Sequence, residues 1–408
     1  MEQITLSIHY ILYILILIFA TGMVSGKIAN SLKLPDVALF LVFGIILGPG
    51  LNLLSETSRS FTNQFILVLG ATLILFDGGR NIGLRTLRRV WPTVALLSVV
   101  GVLISAVVVG YTAAFILHIP LAYAFLLAAI IASTDPATLI PVFKQVKIRP
   151  KVRETVESES AFNDAVGSIL TFSVLAIVTG AQRVSIAGGI LDFLKVSIGG
   201  IIVGAVIGYV VAYVVSHVSL GFLKDYTTIA MIVTALLSYL IGDELHLSGF
   251  MAAFVAGLIW GNSHIFGLHM DDKKMEMNHF TDNITVLMRM LIFVLLGSQV
   301  NFASILKYLG GGLLVIVVFM LVARPLSVFL CALPDRKARW TFREMLFMCW
   351  VRETGVIPAA LSGMVVGMGV PHADMIASVT FLAILLTILL QASTTAYVAK
   401  KLGIDHVD

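Results

Sequence analysis

The chain has 408 residues, of which 59% are hydrophobic and only 12% charged, with a formal net charge of +4 and a mean hydropathy of +1.01. Charged residues run at about half the share usual in soluble domains, about 25%. That balance excludes an ordinary soluble domain, and the small positive charge sits in loops, where it speaks to membrane topology rather than to nucleic acid.

Apolar stretches near the roughly 20 residues needed to cross a bilayer recur along the whole chain. The reading is an all-α polytopic membrane protein with about thirteen transmembrane helices, near 6–26, 35–52, 63–79, 92–117, 121–143, 158–180, 193–216, 226–242, 246–262, 284–300, 308–332, 344–367 and 373–398. The first run is too long for a cleaved signal peptide and lacks a small-residue cleavage site. Short charged loops separate the spans, and no soluble or cytoplasmic regulatory domain is expected. Cys331 and Cys349 fall at or within spans, so neither a disulfide framework nor a cysteine metal site is indicated.

Loops after odd-numbered spans carry the basic groups: Lys27 and Lys33; Arg80, Arg85, Arg88 and Arg89; Lys144 to Arg153; Lys273 and Lys274; Arg336 to Arg343; Lys400 and Lys401. The other loops hold only Arg59, Arg183, Lys195 and Lys307. Under the positive-inside rule the N-terminus faces out and the C-terminus faces the cytoplasm, in an integral cell (inner) membrane.

Span 2 carries Leu34, Gly44 and Gly48, and span 9 carries Leu247, Gly257 and Gly261 at the same offsets. Small residues four apart also occur in any packed membrane helix. A genuine repeat seven spans apart is inverted in the membrane, the architecture of many secondary transporters. The same shift pairs span 5, with Thr134-Asp135-Pro136, and span 12, with Arg352-Glu353-Thr354-Gly355 and Pro358. Both are expected to be interrupted, because Pro136 lacks a backbone N–H and turns Asp135 away from helical angles. Unwound backbone at membrane depth is tolerated only where it lines a cavity or is buried in protein.

Span 6 opens with Glu159-Ser160-Ala161-Phe162-Asn163-Asp164. Ser160 and Asp164 share one helix face, and Glu159 and Asn163 the next. Carboxylates inside spans cost roughly 2.5–3.5 kcal/mol each on insertion scales, so they mark ion or proton pathways. A carboxylate in low dielectric that holds either a proton or a cation, with the Thr134 hydroxyl and freed carbonyls as hard oxygen donors, is the minimal machinery of ion-coupled exchange. Arg324 is the deepest arginine and the candidate to neutralise Glu159. Arg352, beside Glu353, is a candidate partner for Asp77, and Arg289 a candidate to snorkel.

These elements together resemble the monovalent cation:proton antiporter-1 family, the NhaP-type Na+/H+ antiporters. The likeness rests on the LP…F…GI…GP pattern of span 2, Phe76-Asp77-Gly78-Gly79, Thr134-Asp135-Pro136, Glu159 to Asp164, and the late arginines Arg324 and Arg352. It implies a dimerisation part (about 1–91 and 226–305), a core transport part (about 92–182 and 306–400) and a linking helix (about 193–216). It further implies that Asp164 carries cation and proton in turn, that Thr134, Ser160 and Glu159 complete the cation shell, and that Asn163, Asp135, Arg324, Arg352 and Asp77 support it. The implied substrates are Na+ (or Li+) and H+, exchanged one for one in a homodimer without a cofactor; K+/H+ exchange with a separate regulatory subunit is the alternative, and a cation channel the remoter one. Three residues depart from the pattern: Asp77 stands where Glu is usual, Glu353 where Gly is common, and Glu157 is an added acid.

Overall fold

The structure is a computed structural model describing residues 2–32, 34–54, 59–134, 148–181, 186–217, 223–268 and 270–405. No strand occurs among them. In chain order the helices are α1 (Glu2–Leu32), α2 (Asp36–Gly50), α3 (Phe61–Arg80), α4 (Leu87–Leu117), α5 (Leu121–Ile131), α6 (Pro150–Val178), α7 (Ile186–Ser216), α8 (Thr227–Glu244), α9 (Gly249–Gly261), α10 (Lys274–Ser298), α11 (Phe302–Ala332), α12 (Phe342–Trp350), α13 (Val356–Gly367) and α14 (Ala373–Leu402).

By length and composition, nine of the described helices are long and apolar enough to cross a membrane, which makes the protein an integral membrane protein. Four more apolar helices, α2, α5, α9 and α13, are shorter. The span expected at 121–143 runs on past the described residues after Thr134, and the one expected at 344–367 is divided between α12 and α13. Short helices at membrane depth are viable because their ends are buried in protein.

Glycines bring two pairs of helices to backbone contact. A Cβ on Gly44 or Gly48 of α2 would run into the Val294 or Ser298 carbonyl of α10. A Cβ on Gly257 or Gly261 of α9 would likewise run into the Phe76 or Arg80 carbonyl of α3. The α2–α10 and α9–α3 contacts are images of each other under the seven-span shift, so the repeated Gly offsets have a matching structural use. α7 lies against α9 by the same device, with Gly204 and Gly208 facing Ala252 and Ala256.

Two further helices related by that shift, α4 and α11, each contain a π-helical turn, at Leu97–Gly101 and Phe319–Ala323. The end of the α4 π turn meets α11 one turn beyond its own: the Ser327 hydroxyl donates to the Gly101 carbonyl at 3.0 Å and lies 3.0 Å from the Ser105 hydroxyl. A π turn leaves carbonyls outside the regular ladder, and such turns occur often at functional sites.

Candidate cation site

The segment read as span 12 is two helices, α12 and α13, with non-helical Val351–Gly355 between them. α5 ends at Ile131, and Ala132 to Thr134 continue without helix. Asp135 and Pro136 lie outside the described residues.

Free helix ends inside a membrane need partners for their exposed carbonyls and amides. Here the partners are arginines and a threonine. Arg352 Nη2 donates to the Ala132 carbonyl at the end of α5, so a side chain from one break reaches the other. Arg324 Nε donates to the Met348 carbonyl in the last turn of α12 at 3.0 Å. The Thr354 amide donates to the Thr387 hydroxyl on α14 at 3.0 Å. Cations near the C-terminal ends of helices are also favoured by the helix dipole.

α6 runs beside both breaks. Glu159 is gripped in bidentate fashion by Arg324: Nη1 meets one carboxylate oxygen and Nη2 the other, at 2.9 Å for the second. Both side chains are almost fully buried, at 2% and 3% exposure. Planar fork-to-fork geometry of this kind gives the strongest arginine–carboxylate pairing. At the next residue of α6, the Thr134 hydroxyl donates to the Ser160 hydroxyl at 2.8 Å. Asn163 braces Thr134 from both ends: its Oδ1 accepts from the Thr134 amide at 3.0 Å, and its Nδ2 donates to the Thr134 Oγ1 at 2.8 Å. Asp164 is buried, one turn beyond Ser160 on the same helix. Gly167 makes the approach possible, since a Cβ there would sit 3.0 Å from the Ser133 Cβ.

The structure thus brings Thr134, Ser160 and Asn163 into one hydrogen-bonded group and seats Asp164 beside it. Asp77 is elsewhere. Its partner is Arg80 on its own helix, at 3.0 Å, with Thr285 donating to its other oxygen at 3.0 Å. The pairing of Asp77 with Arg352 is therefore not formed, because a guanidinium three residues along α3 reaches the carboxylate first. Arg352 instead lies over the Phe319 ring, 4.0 Å from its centroid, in the π turn of α11. Arg289 does not snorkel; it is buried and pairs with Asp36 at 2.6 Å. Glu157 binds Arg153 at 2.8 Å, one turn back on α6. Glu353 is fully buried in the α12–α13 break.

Three contributors escaped sequence reasoning. Phe319 reads as one more apolar residue of a span, and only its place under Arg352 distinguishes it. Thr387 sits among leucines on α14, and its use as an acceptor needs the break to be seen first. Ser98, whose hydroxyl donates to the Glu159 carbonyl at 3.3 Å, carries no motif.

Chemically, the site is a buried carboxylate beside two hydroxyls, with broken helix ends at hand and the second carboxylate already neutralised. Hard oxygen donors beside a buried carboxylate suit an alkali cation, and the carboxylate suits a proton in its place.

Comparison with known proteins agrees. The chain is 31% identical to Na(+)/H(+) antiporter 1 of Methanocaldococcus jannaschii, with 93% of each chain covered. It is 28% identical to the Na(+)/H(+) antiporter NhaH of Halobacillus dabanensis, covering 97% of this chain and 98% of that one. A K(+)/H(+) antiporter, NhaP of Alkalimonas amylolytica, is 26% identical over 99% of this chain. The fold matches the structure of the sodium proton antiporter MjNhaP1 from M. jannaschii at pH 8 with a TM-score of 0.86 and 30% identity, over 98% of this chain and 99% of that one. The family described as "sodium/hydrogen exchanger, transmembrane" matches residues 14–401. The chain belongs to that family, a family of transporters rather than of enzymes.

Proposed function

We propose that this protein exchanges Na+ for H+ by alternating access, with Asp164 holding cation and proton in competition. The observation that carries this reading is the Thr134–Ser160–Asn163 group on the Asp164 side of α6. Both Glu159 oxygens are engaged by Arg324, so the alternating role falls to Asp164 and Glu159 is left a fixed, neutralised neighbour. The Thr134 and Ser160 oxygens serve as cation ligands, and Asn163 holds Thr134 where its hydroxyl can turn toward either partner. Arg352 ties the two helix breaks together, so that they move as one piece.

The remaining assignments follow the same reading. Residues 92–182 and 306–400 form the moving core, residues 1–91 and 226–305 the part that dimerises, and the helix near 193–216 the link between them. Asp135, outside the described residues, is assigned a supporting role at the site, and Asp77 a supporting role in the dimerising part. The basic loops put the C-terminus in the cytoplasm and the N-terminus outside, in the cell (inner) membrane. With one titrating carboxylate the exchange is one cation for one proton. The K(+)/H(+) antiporters among the relatives keep K+ open as an alternative substrate, acting with a separate regulatory subunit.

The test is a proteoliposome assay with an internal pH dye and Na+, Li+ or K+ added in turn. Na+-driven pH change by the wild type and none by a folded Asp164→Asn variant is the expected result; wild-type-like recovery by that variant rejects the assignment. In K+-balanced vesicles clamped with valinomycin, the wild-type rate is expected not to respond to membrane potential. A clear response rules out one-for-one exchange.

A further inference from the structure

α12 has nine residues, about 13 Å at the rise of an α-helix. A helix that short is marginal by itself, so its place is set by what grips its ends. Both grips lead to α6. At the C-terminal end Arg324 holds the Met348 carbonyl with Nε and Glu159 of α6 with its other nitrogens. At the N-terminal end Lys151 of α6 donates to Glu344 Oε2 at 2.8 Å. Lys151 and Glu159 lie about 12 Å apart along the α6 axis, so the two grips are about as far apart on α6 as α12 is long.

The N-terminal grip uses every donor Lys151 has. Glu344 is buried and closes the capping box of α12 by accepting from the Thr341 amide at 2.9 Å, on the same oxygen that accepts from Lys151. The Lys151 ammonium also donates to the Ala338 and Arg339 carbonyls, at 3.1 and 3.4 Å, which gives an acceptor to each of its three protons. It lies over the Trp340 ring, 4.3 Å from the centroid, and Trp340 Nε1 donates to Thr93 of α4 at 2.8 Å. Arg339 takes a left-handed φ of 47°, which costs any residue with a Cβ and is held here by the carbonyl contacts around it. Beneath this junction Val152 and Val156 of α6 pack with Val328 of α11, Phe347 and Met348 of α12, and Ile404, in an apolar cluster separate from the main one among the described residues. Nothing local to α6 accounts for Lys151, because a cation in the first turn of a helix opposes the dipole.

We propose that Lys151 is a positioning residue for the exchange: by pinning Glu344 it fixes α12, and through Met348 and Arg324 it fixes how Glu159 lies beside Ser160. The inference rests on the exchange reading of the site. Its links are continuous, from Lys151 to Glu344, along α12 to Met348, and through Arg324 to Glu159. Releasing the first link frees α12 to tilt about the end that Arg324 holds, and the Val351–Gly355 break shifts with it. Binding groups work only when held within about 0.5 Å of their geometry, so a small tilt lowers cation affinity without removing a ligand. Arg153 supplies the contrast. It also pairs with a glutamate at 2.8 Å, but that partner is Glu157 on α6 itself, so its bond fixes no second helix.

The experiment measures the half-saturating Na+ concentration and the maximal exchange rate in proteoliposomes, with melting temperatures as a folding control. The proteins are wild type, Lys151→Met, Lys151→Arg, Glu344→Gln, the Lys151→Met/Glu344→Gln double variant and Arg153→Gln. Lys151→Met is expected to raise the half-saturating concentration about three- to tenfold while the maximal rate stays within about twofold of wild type. Lys151→Arg keeps the charge and the reach and should keep the wild-type value. Glu344→Gln keeps the capping acceptor and loses the charge, so it should act like Lys151→Met. The double variant should exceed neither single, because both remove one bond. Arg153→Gln should change nothing. A lower melting temperature with an unchanged half-saturating concentration would make Lys151 purely structural and overturn the proposal. An equal rise in Arg153→Gln would assign the effect to charge at this end of α6, and additive rises in the double variant would separate Lys151 from Glu344; either overturns it too. A wild type that exchanges no alkali cation at all would overturn the exchange reading, and the positioning role with it.

Discussion

Arg80 and Arg324 are both buried arginines paired with a buried carboxylate, yet they are built in different ways. Arg80 finds Asp77 three residues back on the same helix, and its remaining donors go to Asn278, Thr281 and Asn81. Arg324 finds Glu159 across 165 positions of sequence, and its third nitrogen holds the end of a broken helix. The first pair is local, and the other donors of Arg80 tie α3 to α10. The second spans the candidate site, so the same bond sets the charge beside the Thr134–Ser160 pair and ties α6 to α11 and α12. Identical chemistry thus serves packing in one region and the site in the other. The distinguishing feature is what else each arginine holds.

The largest effect is expected at Arg324. Truncation to alanine strands a buried carboxylate, at a cost of roughly 3–5 kcal/mol when that partner cannot take up a proton. Arg324→Ala should lower thermal stability and cation affinity together, and adding Glu159→Gln should recover stability but not transport. Melting curves for wild type, both single variants and the double variant measure the coupling. Strictly additive losses would mean that Arg324 serves another partner.

A smaller loss, of roughly 1–3 kcal/mol, is expected for Arg80→Ala, since Asp77 loses its cation but keeps the Thr285 hydroxyl donating to its other oxygen. Its signature is a lower melting temperature with the half-saturating cation concentration unchanged. A shift in cation affinity as large as that of Arg324→Ala would erase the contrast between the two regions.

The smallest expected change is at Thr387. Its replacement by valine keeps the shape and leaves the Thr354 amide without its acceptor, for a loss of about 1 kcal/mol. Because that amide lies in the α12–α13 break, the exchange rate should fall along with stability. A rate equal to wild type would show that the break is held by Arg352 and Arg324 alone.

Much of the fold was legible in the chain itself. Hydropathy located each apolar segment, and the Leu–Gly–Gly offsets of spans 2 and 9 pointed to helices that meet their neighbours through glycine backbones. That is visible because a glycine face leaves a periodic mark in one helix, whatever it packs against. The acids and hydroxyls of the site were legible for a related reason: polar groups inside apolar runs carry a high cost, so each one draws notice by itself.

Pairings were less legible. Asp36 and Asp77 each had several arginines to choose from, and the sequence contains no distances with which to choose. The local partner took Asp77, the α10 arginine took Asp36, and Arg352 was left to reach a backbone carbonyl and an aromatic ring. Composition and periodicity by themselves determined that this chain is a helical membrane protein with charged groups buried at membrane depth, because burial in lipid restricts the residues a span can carry. The Arg324–Glu159 pair was expected from the sequence and is formed, but the partners of Asp77 and Asp36, and which carbonyl of a broken helix each arginine holds, were decided only by the tertiary structure. Most of those contacts join residues far apart in the chain, and their energies depend on geometry set by the packing of helices α4, α6, α11 and α12 around them.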